Sequence, residues 1–425
     1  MSAYPRVHEG SMSIRARIPG KIDRFRAGRI AFYLAFAIYL LVFAVSHTTF
    51  QTFFGIDMAS IVSLRQPVVV ALLATSILLS PKKLWQWLAI VVLVALAFVS
   101  WRMSGENWLF WLTLFCVSAN GIRIKPLAWI VLVVSLGVLL AAVPCALAGI
   151  IDNVVVMRQG AERYSLGFVH PNTLGGYLWI AALAFSAIRF GKTPFPDLAV
   201  LAVVVVLNLV VTDSRATVIA ASAQVVFLFV FYFVKSERAR HVLSMVMLGG
   251  LTLAMLFSVY FMLFYGADNP VHALIDGLLS TRFSLAHGYF EMAPLTLFGN
   301  SFEGYDAIAW DNGEPLRFVV DNAFCHLILA YGLVPSLVFF WFFFAYCAKL
   351  VRLHRWDVML FGLTVMGAYA FVETMGIRVE GNFFLIGMGA ELLFGGNMLA
   401  DCVDGTLSVQ KQSKTSQHAV SEGQA

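Results

Sequence analysis

Long apolar stretches recur along almost the whole chain of 425 residues. An α-helix crosses the hydrocarbon of a bilayer with about 20 residues, and about twelve stretches reach or approach that length. Hydrophobic residues make up 60% of the chain and charged residues 12%, which is more apolar surface than a soluble core requires. We therefore predict an all-α polytopic membrane protein with spans at 30–47, 62–80, 84–101, 106–120, 127–150, 172–190, 197–212, 215–234, 242–265, 323–348, 358–375 and 383–400.

The chain predicts one membrane domain, because no Gly-, Ser- or Pro-rich linker and no internal repeat divides it. Residues 1–29 form a polar, basic arm without a signal-peptide pattern, and residues 401–425 form a polar tail that we expect to be disordered. The single transmembrane domain is predicted at 30–400. Within it, 266–322 is the only long stretch outside the membrane, and we expect an amphipathic helix on the membrane at 271–292.

The distribution of basic residues predicts the orientation, because Lys and Arg concentrate in cytoplasmic loops. With a cytoplasmic N-terminus, the cytoplasmic segments hold 21 of the 29 basic residues, including every lysine. We therefore predict a multi-pass membrane protein with both termini in the cytoplasm. The outer segments then hold only arginines: Arg65, Arg102, Arg158, Arg163, Arg215, Arg282, Arg317 and Arg378. A guanidinium binds phosphate oxygens through a planar fork, whereas ammonium acts as a point charge.

Several classes of function have no support in the sequence. It contains no Walker-type loop and no HExxH motif, so we expect neither a nucleotide cofactor nor a metal. Five histidines lie on different segments without an i,i+4 pair, namely His47, His170, His272, His287 and His326. The net charge of +5 arises from the cytoplasmic segments and does not indicate nucleic-acid binding.

The first outer segment of interest carries Arg163, Gly167, His170, Pro171 and Asn172. Pro171 fixes the entry of a helix, and Asn172 is placed to cap or begin it. Free backbone N–H groups at a helix start attract anions. The pattern therefore indicates an anion-binding helix start, and the alternative is an ordinary interfacial turn with a snorkelling arginine.

The second outer segment is the short turn Asp213, Ser214 and Arg215. The preceding span has about 16 apolar residues and covers only ~24 Å, so the turn is expected below the outer surface. A buried arginine costs at least ~2.5 kcal/mol and needs a partner or a wet cavity. Either Arg215 pairs with Asp213, or it meets a phosphate in a cavity.

The third segment, 266–322, holds Arg282 and ends in Asp321 and Asn322. An aspartate at a helix start is commonly an N-cap. The alternative is a carboxylate aimed into a cavity as a general base. Aromatic residues in the same loop could stack on sugar rings or anchor the loop at the interface.

Together these motifs resemble the O-antigen polymerase/O-antigen ligase superfamily of bacterial envelope polysaccharide enzymes, over roughly residues 30–400. The likeness rests on Arg-x-x-x-Gly-x-x-x-Pro-Asn at 163–172, on Ser214-Arg215, and on Asp321-Asn322 followed by Tyr331-Gly332. Such enzymes have a GT-C-type helical membrane fold. They transfer a glycan from undecaprenyl diphosphate to an acceptor hydroxyl outside the cytoplasmic membrane.

The resemblance implies a polymerase of lipid-linked repeat units that needs no cofactor. Arg163, Arg215 and Arg282 would meet the diphosphate, Asp321 would act as base, and Gly167, His170, Asn172, Ser214 and Asn322 would contribute to substrate binding. The lipid-linked glycan, membrane lipids, a flippase and a chain-length regulator are the expected partners.

Two alternatives remain. Ligase-type members tend to carry His where this chain has Asp321, which favours the polymerase without deciding it. A transporter of envelope precursors would place ionisable groups near the midplane, and Glu391 is the one clear candidate, with Glu373 nearer the outer end of its span.

Overall fold

The computed structural model describes residues 24–55, 57–158, 160–302, 309–311, 314–316, 319–396 and 398–399. Most of the predicted basic arm, the tail 401–425 and Arg317 therefore lie outside the described residues. Two β-hairpins are described, one formed by β1 (Val155–Arg158) and β2 (Ala161–Tyr164) and one by β3 (Ala309–Asp311) and β4 (Glu314–Leu316). The α-helices of the described residues are α1 Arg24–Ser46, α2 Phe50–Phe53, α3 Met58–Leu79, α4 Leu84–Ser104, α5 Trp108–Ser118, α6 Ile124–Leu147, α7 Pro171–Arg189, α8 Phe195–Leu207, α9 Arg215–Phe233, α10 Glu237–Phe264, α11 Pro270–Leu278, α12 Arg282–Met292, α13 Ala323–His326, α14 Leu333–Arg352 and α15 Val358–Ala370.

The expectation of a helical polytopic membrane protein is confirmed. Among the described residues, eight helical segments are long and apolar enough to cross a membrane: α1, α3, α4, α6, α8 with its continuation to Thr212, α9, α10 and α14. The sequence predicted about twelve spans. The difference arises at four of them: α5, α15 and the segment 383–393 are shorter than a full span, and α7 begins with polar residues. Large exposed apolar side chains on the outer helices, such as Leu78 and Leu253, suit contact with lipid.

Several predicted spans are interrupted. The stretch 323–348 is divided into α13, a π-helical turn at Leu327–Tyr331 and α14. Gly332 separates the last two with a φ of +82°, a left-handed conformation that glycine adopts without strain. The predicted span 383–400 likewise contains two short turns, a 3₁₀ turn at Phe383–Leu385 and a π turn at Met388–Leu393. These turns are buried in protein, which is where membrane proteins tolerate irregular backbone.

The predicted amphipathic helix at 271–292 is two helices, α11 and α12. Ser280 and Thr281 lie between them with φ values of +59° and +63°. Such a left-handed pair cannot continue an α-helix of L-residues. The break turns α12 back under α10, where Phe283 is fully buried against Phe261.

One end of the bundle carries the β1–β2 hairpin, the start of α7, the turn 213–215, α11, α12 and the end of α15. We call this end the hairpin face. Hydrogen bonds hold its parts together: Arg158 to Ser280, Arg163 to Thr212, and Arg282 to Val372. The other end carries the connections 80–83, 119–123, 190–194, 234–236 and 353–357, and we call it the basic face.

Candidate active site

Arg163 joins three elements at the hairpin face. It lies on β2 opposite Val156, and it is buried with 5% of its surface exposed. Its Nε donates to the carbonyl of Thr212 at 2.8 Å, and its Nη2 donates to Asn172 Oδ1. The guanidinium therefore fixes the hairpin against the start of α7 and the end of the α8 segment.

The surroundings of Arg163 carry an excess of positive charge. Burial lowers the pKa of Arg163, the charges of Arg158 and Arg215 lower it further, and Asp213 opposes them. Arg158 lies 4.0 Å from Asp213, and among the described charges that act on Arg163 this carboxylate stands with the guanidinium groups of Arg158 and Arg215. A local excess of cations of this kind attracts an anion.

The positions of the 163–172 motif have structural roles. Gly167 has a φ of +88°, and a Cβ there would lie 2.8 Å from the carbonyl oxygen of Ala142. The N-cap of α7 is His170, whose Nδ1 accepts from the N–H of Asn172 at 3.1 Å, and Pro171 is the first helical residue. Asn172 itself presents its side chain to Arg163.

The three residues of the turn 213–215 differ in burial. Asp213 adopts a left-handed conformation with a φ of +42°. Ser214 is buried, and its Oγ lies 2.7 Å from Thr217 Oγ1. Arg215 is exposed at the first position of α9, and the α8 segment before the turn ends in a π turn at Asn208–Thr212.

Arg282 holds two carboxylates at the hairpin face. Its Nη2 lies 3.0 Å from Glu373 Oε1 and 3.4 Å from Asp321 Oδ2. Nε and Nη1 donate to the carbonyls of Val372 and Leu279 at 2.6 and 3.0 Å. The guanidinium is therefore fixed on all sides, and its charge is shared by two acids.

Asp321 and Asn322 have different environments. Asn322 is fully buried and is the N-cap of α13, with Oδ1 accepting from the N–H groups of Phe324 and Cys325. Its Nδ2 donates to Ser258 Oγ and to the carbonyl of Phe371, so its hydrogen-bonding capacity is used within the protein. Asp321, expected as a possible N-cap, instead has a side chain 40% exposed beside Arg282.

A cavity of about 150 Å³ lies between these groups. Asn172 enters it from the Arg163 side, and Glu373 enters it from the Arg282 side. Arg378 reaches it from the loop after α15. The remaining lining residues are Phe43, His47, Thr173, Gly176, Tyr177, Ile180, Tyr369 and Met375.

Glu373 is the titratable carboxyl of this cavity. It lies three residues beyond Ala370, where α15 ends, and burial raises its pKa to about 8, with the Asp321 charge adding to the rise and Arg282 opposing it. A carboxyl with a pKa near neutrality can accept a proton from a substrate hydroxyl. The signal for it in the sequence was an acidic residue at the outer end of an apolar span.

Arg378 supplies a cation on the other wall. Its Nη2 lies 3.7 Å from Glu380 Oε1, and its guanidinium lies over the ring of Phe43 at 5.4 Å. Its Nε is buried without a hydrogen-bond partner among the described residues. An unpartnered guanidinium N–H beside a cavity is a donor that a ligand oxygen can satisfy.

His326 and Glu106 form a second polar pair close to Asp321. His326 Nε2 lies 2.9 Å from Glu106 Oε2, and Nδ1 lies 3.0 Å from the carbonyl oxygen of Val320. Both ring nitrogens of His326 therefore lie within hydrogen-bonding distance of an oxygen. Burial by itself would raise the pKa of the Glu106 carboxyl, but the charge and hydrogen bond of His326 hold it at about 2.

Of the site residues predicted from the sequence, Asn172 lines this cavity and the others do not.

Among the described residues, no three His, Cys, Asp or Glu side chains are placed to hold a metal ion. Comparisons with protein families, with curated proteins and with solved structures find no match for this chain.

Proposed function

We propose that this protein is a membrane glycosyltransferase that takes its donor glycan from a lipid diphosphate and polymerises lipid-linked repeat units. The observation that carries the proposal is the cavity bounded by Asn172, Glu373 and Arg378. Its lining combines the guanidinium of Arg378, the carboxyl of Glu373 with its raised pKa, and Asn172, which is bonded to Arg163 behind it. Its place at one end of an apolar bundle suits a substrate whose lipid remains in the membrane. The proposal includes about twelve membrane crossings and a GT-C-like arrangement.

The donor's diphosphate would lie between Arg378 and the group formed by Arg158, Arg163 and Arg215. As the bond between the anomeric carbon and the diphosphate oxygen breaks, the diphosphate leaves with the electron pair. Fixed guanidinium groups in a site with little water stabilise this developing charge at no cost of reorganisation. Arg163 would act largely through Asn172, because two of its donors are already bonded within the protein.

The acceptor hydroxyl attacks the anomeric carbon and gives its proton to a carboxylate. The sequence predicts Asp321 for this role. We propose Glu373 instead, because it lines the cavity and its pKa lies near the working range of a general base. Asp321 would raise the pKa of Glu373, and Arg282 would hold both carboxyl groups in position.

The ion pairs of Glu391 support glycan transfer over transport. Glu391, the candidate for an ionisable group near the midplane, lies 2.6 Å from Arg355 Nη1 and 3.7 Å from Lys349 Nζ. Arg355 belongs to the connection 353–357, so this cluster lies toward the basic face. These ion pairs favour a structural role for Glu391 over a role in moving ions or protons across the membrane.

The test uses purified full-length protein in nanodiscs and an undecaprenyl-diphosphate-linked oligosaccharide built from the cell's own repeat unit. Mass spectrometry follows the lipid-linked products. A ladder rising by whole repeat units supports the polymerase. Transfer of one finished chain to an added acceptor, without a ladder, would show a ligase instead of a polymerase. The absence of any covalent product under both conditions would favour transport.

The matched variants are Glu373→Gln, Asp321→Asn and Glu291→Gln. Glu291 is the control, because its side chain is 68% exposed on α12 and lies away from the cavity lining. We expect Glu373→Gln to abolish the ladder while Glu291→Gln preserves it. If Asp321→Asn abolishes product and Glu373→Gln does not, the base is Asp321 and our assignment is wrong.

A further inference from the structure

A second polar cavity lies at the basic face, far from the site proposed above. Its volume is about 330 Å³, and the ends of α7 and α9, the start of α8 and Trp356 surround it. Four basic residues line it, namely Arg189, Lys192, Lys235 and Arg240. Asp197 is the acidic residue of the lining. The cavity therefore carries a net positive charge at the end of the apolar bundle.

Two of the four cations are engaged within the protein. Arg189 Nε lies 3.2 Å from Asp197 Oδ2, and its Nη2 donates to the carbonyl of Thr193. Arg240 Nε donates to the carbonyl of Val234 at 2.9 Å. Lys192 and Lys235 are exposed, and neither forms an ion pair with a described residue. Their ammonium groups are therefore available to an anion.

Asp197 supplies the second, independent observation. Only 4% of it is exposed, and its Oδ1 has no hydrogen-bond partner among the described residues. A buried carboxylate oxygen without a donor is costly. Because Oδ2 already faces Arg189, the remaining oxygen can accept a hydrogen bond from a ligand hydroxyl in the cavity.

The surroundings of the cavity are those of a membrane interface. Phe195 and Phe233 beside it have 69% and 60% of their surface exposed. Trp356 stacks on Phe231 with ring centroids 4.0 Å apart, and its Nε1 donates to the carbonyl of Phe231. Exposed aromatic residues next to a basic cavity suit acyl chains below a charged head group.

We propose that this cavity binds one anionic glycerophospholipid whose head group carries a hydroxyl. The phosphate would lie between Lys192, Lys235 and Arg240. The head-group hydroxyl would donate to Asp197 Oδ1. This site is separate from the glycan-transfer site and does not depend on the activity proposed there. In the predicted orientation, the lipid would come from the cytoplasmic leaflet.

Native mass spectrometry of the purified full-length protein in detergent tests the proposal. The probes are dioleoyl phosphatidylglycerol, dioleoyl phosphatidylethanol, which has the same charge but lacks the head-group hydroxyl, dioleoyl phosphatidylethanolamine and inorganic phosphate. We expect one phosphatidylglycerol to bind in preference to the other lipids. The double variant Lys192→Gln/Lys235→Gln should weaken this binding by about tenfold or more.

The control double variant is Lys83→Gln/Arg238→Gln, which removes two exposed charges of the same face outside the cavity lining. It should bind phosphatidylglycerol as the native protein does. Asp197→Leu, which has no acceptor oxygen, should remove the preference for phosphatidylglycerol over phosphatidylethanol and leave an anionic lipid bound. An equal loss of phosphatidylglycerol binding in both double variants would show that binding depends only on the surface charge, and it would overturn the proposal. Displacement of the lipid by millimolar inorganic phosphate would show that the site takes free phosphate instead.

Discussion

Glu373 accepts a hydrogen bond from Arg282 Nη2 at 3.0 Å, although the two residues are 91 positions apart in the sequence. The contact joins the end of α15 to the start of α12. It places a buried carboxyl at the wall of a cavity and a cation behind it. The positive charge of Arg282 offsets part of the cost of burying the Glu373 carboxyl, while burial keeps the pKa of that carboxyl at about 8.

The pH dependence of the reaction should follow the ionisation of Glu373. Its pKa in the folded protein is about 8, and a general base acts in its ionised form. We expect kcat/KM to rise with pH through about 8 and Glu373→Gln to lower it about 100-fold or more. Steady-state transfer measured from pH 6 to 9 checks this, with Glu291→Gln as control. A profile that is unchanged in Glu373→Gln would exclude the role.

The stability of the protein should have the opposite pH dependence at this residue. The ordinary pKa of 4.5 is raised by burial and by Asp321, so the folded protein binds this proton more tightly than the unfolded chain. That contribution is complete below pH 4.5 and is lost as pH rises through about 8. Thermal unfolding in nanodiscs should show a smaller decline over this range in Glu373→Gln than in the native protein. Parallel curves would contradict the raised pKa.

Arg282 and Glu373 should be energetically coupled. Arg282→Gln leaves Glu373 and Asp321 facing each other without their cation, so it should destabilise the protein strongly. Adding Glu373→Gln removes one of the two acids and should recover part of the loss. We expect a coupling free energy of about 1–3 kcal/mol from the unfolding of the two single variants and the double variant. Additive effects would show that the ion pair contributes little.

Arg163→Lys should impair the hairpin face although it keeps the charge. A lysine cannot bond both Thr212 and Asn172 in the planar geometry of the guanidinium. We expect a loss of about 1–3 kcal/mol in unfolding free energy together with reduced transfer. The exposed Arg102→Lys is the control. Wild-type stability and product length in Arg163→Lys would remove the residue from the site.

Two neighbouring glycines of α7 should respond differently to alanine. A Cβ at Gly175 would lie 2.2 Å from Asn208 Oδ1, whereas one at Gly176 meets nothing within 4 Å. Gly175→Ala should therefore destabilise by about 1–3 kcal/mol or more. Gly176→Ala should leave stability unchanged or raise it by up to about 1 kcal/mol, because alanine favours the helix. Thermal unfolding of the two variants tests this packing. Equal unfolding temperatures would contradict it.

The predicted orientation is tested by labelling single cysteines with a membrane-impermeant thiol reagent in a background without the native cysteines. Asp268→Cys lies in the exposed connection before α11, and Lys83→Cys lies at the basic face. We expect labelling of Asp268→Cys in intact spheroplasts and of Lys83→Cys only after lysis. The reverse pattern would invert the topology.

The apolar stretches by themselves determined the class of the fold, because a helix that satisfies its own backbone is the simplest structure that crosses lipid. They also located the segments that carry charge outside the bundle. Arg163, Asn172, Arg282 and Asp321 were predicted from their places in the outer segments and at helix starts, and the structure brings them near one cavity. These features depend on local composition, which a single sequence displays.

Only the tertiary structure decided which charges meet. Arg215, expected in a turn below the outer surface, has an exposed side chain at the first position of α9. Asn322, expected to bind substrate, has its hydrogen bonds used within the protein. Glu373 and Arg378 line the cavity because the chain folds back through irregular turns after α15. Pairing across 91 residues depends on how helices pack, and neither hydropathy nor spacing contains that information.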